Sequence, residues 1–124
     1  MIVDDDPNAR ALMRRALESD RWRVEEAENG LVAHELMAKQ RPGVVLLDLM
    51  MPELDGFGVL EAMQEDVVLS RVPVIVITAA DLTDEHKQVL ARRSAHVMRK
   101  GQREHESLIA QVRARVAACV NRER

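Results

Sequence analysis

Short apolar runs alternate with helical periodicities from one end of the chain to the other. Ile2 and Val3 form a first run, and Ala9, Leu12, Met13, Ala16 and Leu17 then fall on the spacing of one helix face, which predicts a strand followed by a helix. Trp22 to Ala27 predicts an edge strand. Asn29-Gly30 turns the chain into a second helix that carries Val32, Leu36 and Met37 inward, and Pro42-Gly43 ends it. Val44 to Leu47 is a continuous apolar run, the mark of a strand covered on both faces, and Val59, Leu60, Met63 and Val67 repeat at helical spacing beyond it. Pro73 opens a second buried run, Val74 to Ile77, whose β-branched residues suit a strand; proline is tolerated at a strand's first position. A fourth helix is expected from Thr83 to Arg93, a last strand from His96 to Arg99, and a final helix lined by Leu108, Ile109, Val112, Val116 and Val120.

Five strands separated by helices predict an α/β, doubly wound fold: a five-stranded parallel sheet with helices on both faces, because right-handed crossovers are nearly obligatory. No internal repeat, low-complexity tract or linker interrupts the pattern, so residues 1–124 are read as a single domain. In such sheets ligands bind beyond the carboxyl ends of the strands. The residues that end each strand therefore carry the chemistry.

Composition narrows the classes of function. Hydrophobic residues make up 47% and charged residues 31% of the 124, a globular balance. Lys and Arg total 18 against 21 Asp and Glu, a formal net charge of -3, which argues against nucleic-acid binding and against a membrane-binding surface. One cysteine, Cys119, cannot form an internal disulfide, and the first residues lack the basic and apolar regions of a secretion signal, so a cytoplasmic setting is expected. No apolar stretch approaches the roughly 20 residues that span a bilayer.

The first strand ends in Asp4, Asp5 and Asp6, the third in Asp48, the fourth in Thr78 and the fifth in Lys100. Asp6 has an ordinary explanation as a helix N-cap followed by Pro7 at the first helical position. Asp4 and Asp5 have none as good. If Asp4, Asp5 and Asp48 converge within about 4 Å, each ionised pair repels by about 4 kcal/mol at an effective dielectric of 20. A hard divalent cation with oxygen ligands offsets that repulsion, and Mg²⁺ fits best, because it takes one or two carboxylates and leaves room for phosphate oxygens. Lys100 and Thr78 are then available to hold the anion that the metal attracts.

The stretches VDDDP at 3–7, VVLLDLMMPELDGF at 44–57, VIVITAAD at 74–81 and RKG at 99–101 resemble, in order and separation, the receiver domains of two-component response regulators. The resemblance covers essentially the whole chain, and the run from Asp48 through Pro52 to Asp55-Gly56 is its most specific part. It implies a flavodoxin-like strand order 2-1-3-4-5. It implies that Asp48 is the phosphoacceptor, receiving a phosphoryl group from a phosphohistidine on a sensor histidine kinase or a histidine phosphotransfer protein. Asp5 and Asp48 would ligate Mg²⁺ directly, Asp4 through water, with the backbone carbonyl of Met50 as a further ligand, while Thr78 and Lys100 would hold phosphoryl oxygens. The domain would then be a switch rather than an enzyme, with an output surface, and a route to homodimers, around the fourth helix, fifth strand and fifth helix.

Two positions depart from the family pattern. Val97 stands three before the lysine, where an aromatic residue usually changes rotamer on activation, and Gly101 follows Lys100 in place of the usual proline. The Lys100-Gly101 pair resembles receivers attached to hybrid sensor kinases, and the short run ahead of Asp4 suits a domain excised from a longer protein. Met50 and Ala80 offer no polar group to orient a water, so slow loss of the phosphoryl group is expected. Two other readings compete. A haloacid dehalogenase-type phosphatase needs a second Asp two positions after its nucleophile, where Met50 stands; a pseudo-receiver would use the same fold for docking or dimerisation without phosphorylation. The four histidines, His34, His86, His96 and His105, show no paired spacing of a metal site, and Arg113 and Arg115 read as solvated surface.

Overall fold

The first strand, β1 (Ile2–Val3), gives way almost at once to a helix, because Asp6 accepts a hydrogen bond from the Asn8 amide and Pro7 opens α1 (Pro7–Ser19) with no amide to leave unpaired. The structure, a computed structural model, describes residues 1–49, 55–78, 82–92, 96–99 and 105–122. Met50, Ala80, Lys100 and Gly101 lie outside that set, as do the side chains of Leu108, Ile109, Cys119 and Val120. Beyond α1 follow β2 (Glu26–Ala27), α2 (Gly30–Lys39), β3 (Val45–Leu47), α3 (Gly56–Glu65), a short 3₁₀ turn (Leu69–Arg71), β4 (Val74–Thr78), α4 (Asp84–Arg92), β5 (His96–Arg99) and α5 (His105–Arg122).

The strands β2, β1, β3 and β4 stand in that order with parallel pairing, and β5 lies parallel beyond β4. Successive residues of each strand feed opposite faces, as period-2 geometry requires. Ile2, Leu46, Ile75 and Ile77 pack with Met13 and Leu17 of α1 and Val112 and Val116 of α5. Val3, Val45, Leu47, Val74 and Val76 pack with Ala33 and Met37 of α2, Val59, Leu60 and Met63 of α3 and Leu90 of α4.

Three local expectations are corrected. Only Glu26–Ala27 of the predicted 22–27 strand is strand, because the Trp22 amide still donates to Leu17 O at 3.2 Å and Arg21 takes a left-handed φ of 67° to close α1. Val67 is 78% exposed rather than inward-facing. There α3 stops at Glu65, and the Asp66 carboxylate accepts from the Val68 and Leu69 amides, which starts the 3₁₀ turn in place of another helical turn. Arg113 is not simply solvated: its Nε and Nη2 donate to Asp20 Oδ2 and Oδ1 at 3.0 and 2.7 Å, joining α5 to the end of α1.

Candidate functional site

The parallel register sets the site. Val3 pairs with Leu47 and Leu47 with Val76, so Asp4 and Asp48 leave the sheet side by side, and β4 ends beside them in Thr78. Asp4 is 0% exposed, Asp48 5% and Thr78 1%, whereas Asp5 is exposed. Asp4, Asp5 and Asp48 each offer a carboxylate oxygen, and those atoms all lie within 4.8 Å of one another. The three acidic residues are therefore gathered at one rim, within 4.8 Å of one another, against the roughly 4 Å considered from the sequence. Met50 and Lys100 lie outside the described residues.

Local structure holds each carboxylate-bearing segment. Asp4 Oδ1 accepts from the Asp6 amide at 2.9 Å, which fixes the turn between β1 and α1. The Asp48 amide donates to Val3 O at 2.9 Å, so Asp48 is still held in the sheet ladder although its side chain has reached the rim. Asp55 caps α3 by accepting from the Gly58 amide at 2.9 Å. Gly56, the first residue of that helix, donates to Leu49 O at 3.1 Å. A Cβ on Gly56 would lie 2.4 Å from the Asp48 carbonyl oxygen and 2.5 Å from Leu49 Cα, so only glycine permits this approach. The sequence marked Asp55-Gly56 as a motif; the structure shows Asp55 capping α3 and Gly56 closely approaching the Asp48–Leu49 backbone.

Charge around the site is organised by residues the sequence did not single out. Arg10 Nη1 donates to the Asp4 main-chain carbonyl at 2.8 Å, and its Nε donates to Glu26 Oε1 at 3.0 Å. Glu26 also receives Arg14 Nε on its other oxygen. The Arg14 hydrogen bond, followed by that of Arg10, holds the Glu26 carboxyl below its ordinary value against the opposing effect of burial. Positions 10 and 26 carry no shared periodicity, so only the fold brings them together.

A donor set made wholly of carboxylate oxygens, partly buried and open on the Asp5 side, fits a hard divalent cation such as Mg²⁺. A cavity of about 610 Å³ opens at the other end of the sheet, between the Trp22–Glu25 and Gln40–Val44 segments, and contains none of these residues. Beyond β4, the His86 amide donates to Thr83 Oγ1 at 3.1 Å and the Thr83 amide to His86 Nδ1 at 3.4 Å. The His86 ring also stacks 4.7 Å from Phe57, so His86 is a structural residue of the α4 start.

Comparison with known proteins agrees with this geometry. The family described as response regulator receiver domain matches residues 1–113. "Response regulator MprA" of Mycobacterium sp. (strain KMS) is 39% identical over 85 residues, covering 68% of this chain and 36% of the relative. The chain therefore spans little more than a third of the length of that curated relative. Among solved structures, the N-terminal domain of a response regulator receiver protein from Methanoculleus marisnigri JR1 is similar at 29% identity and a TM-score of 0.74, covering 89% of each chain. The receiver domain of the Francisella response regulator 1452 reaches a TM-score of 0.81 at 25% identity over 99% of this chain and 96% of its own.

Proposed function

The chain belongs to the response regulator receiver domain family, and from that premise we propose that it accepts a phosphoryl group on Asp48 and acts as a two-component signalling switch. The observation that carries this reading is the convergence of the Asp4, Asp5 and Asp48 oxygens within 4.8 Å at the rim where Thr78 ends the neighbouring strand. Asp48 is the nucleophile: one of its oxygens bonds phosphorus as the phosphorus–nitrogen bond to the donor's imidazole breaks. Asp4, Asp5 and Asp48, with the Met50 carbonyl, would hold Mg²⁺. When bound, the ion would neutralise charge on both the carboxylates and the transferring oxygens. Thr78 donates its hydroxyl to a phosphoryl oxygen and Lys100 supplies the balancing ammonium. The donor is a histidine kinase or histidine phosphotransfer protein in the cytoplasm, and the added charge acts as the switch.

Output would run through the face formed by α4, β5 and α5, which would also serve for pairing of two copies. One observation favours the docking reading instead. Val97 is 44% exposed on β5, where the family uses a switching aromatic residue, so that relay is absent. A single experiment separates the two: incubation with Mg²⁺ and a small acyl phosphate, followed by intact mass measurement of wild type and Asp48→Asn. One phosphoryl adduct on the wild type and none on the variant is the expected result. No adduct under any condition leaves the docking module as the function.

A further inference from the structure

Arg10 is a cation bonded to the main chain of the acidic cluster yet not to its carboxylates. Its Nη1 rests on the Asp4 carbonyl oxygen, not on a carboxylate, and its Nε is taken by Glu26 from the neighbouring strand β2. Glu26 cannot easily turn away. Arg14 occupies its second oxygen while also reaching Glu18 at 3.2 Å and the Val24 carbonyl at 3.2 Å. Both Arg10 and Glu26 are partly buried, so the pair is less screened than one on open surface.

We propose that Glu26 is a positioning residue for the cation site: it parks the Arg10 guanidinium on the Asp4 carbonyl and keeps it out of the Asp4–Asp5–Asp48 cluster. This rests on the metal-binding reading above. A guanidinium bonds carboxylates readily and in bidentate fashion, so an unrestrained Arg10 is the protein's own competitor for the oxygens a divalent ion needs. Removing the Glu26 charge loosens the hold on Nε, and a guanidinium already bonded to Asp4 O is then available to the carboxylates of the cluster. Asp5, exposed and next in the chain to the residue whose carbonyl Arg10 already touches, is the partner expected to take it.

The test is titration of the full chain with magnesium chloride by calorimetry, with amide NMR shifts of Asp4, Asp5 and Asp48 recorded alongside. Wild type binds; Glu26→Gln weakens binding roughly tenfold, the scale seen for groups that act on a metal through another residue. Adding Arg10→Ala to Glu26→Gln restores most of the loss, and Arg10→Ala alone binds at least as tightly as wild type. General loss of structure would make the double variant no better than the single one. The inference is overturned if Glu26→Gln binds like wild type, or if the double variant stays weak while retaining its thermal midpoint without metal. Should Glu26→Gln fail to fold, Arg10→Ala decides alone: weaker binding refutes the proposal. Absence of magnesium uptake by wild type would instead remove the metal reading and this inference with it.

Discussion

Gly56 is the residue through which α3 leans on the end of β3, beside Asp48. The atoms a methyl group would meet there, the Asp48 carbonyl oxygen and Leu49 Cα, are both backbone, so no side chain can swing aside. Gly56→Ala is expected to destabilise the fold by about 1–3 kcal/mol through overpacking and to slow adduct formation by displacing Asp48. Thermal denaturation and a time course of intact mass would measure the two effects. The phosphoryl group itself is expected to persist, because Met50 and Ala80 supply no polar group to orient water. A phosphorylated half-life of minutes or longer agrees with that; decay within seconds contradicts it.

Between elements, the joint most open to test is Asp20 with Arg113. The Arg113 hydrogen bonds hold the Asp20 carboxyl below its ordinary value of 3.8. A depressed carboxyl contributes stability that is complete above the unfolded value and is lost as pH falls through the lower folded value. Asp20→Asn should therefore lose stability at neutral pH, and the gap to wild type should close as the pH is taken below 3.8, as followed by urea denaturation across that range. Elements built on apolar periodicity were legible in the chain: Met13, Ala16 and Leu17 turn inward on α1, as do Val59, Leu60 and Met63 on α3. What escaped was decided by polar geometry. Asp20 and Arg113 are 93 positions apart, Arg10 and Glu26 are 16 apart, and such pairs leave no repeat to read. Val67 was misread for a related reason, since the hydrogen bonds of Asp66 ended a helix that spacing alone would have continued.

For the molecule as a whole, the Asp4, Asp5 and Asp48 oxygens gathered within 4.8 Å of one another are expected to cost stability that a bound divalent cation would offset. Magnesium is expected to raise the unfolding temperature in proportion to site occupancy, and a chelator to lower it again. Asp48→Asn should be more stable than wild type in chelator, because one charge of the cluster is gone, while responding little to added magnesium. Differential scanning calorimetry of both proteins in both conditions checks the pair of outcomes. The acidic cluster was readable because Asp4 and Asp48 each close an apolar run and Asp5 follows the first of them, so adjacent parallel strands gather the three.

The sheet also works as a septum one residue thick. Side chains of α1 and α5 meet one set of strand residues and those of α2, α3 and α4 meet the other, so the two hydrophobic compartments share a backbone but few atoms of packing. Drift in the helices on one side can then proceed without repacking its counterpart.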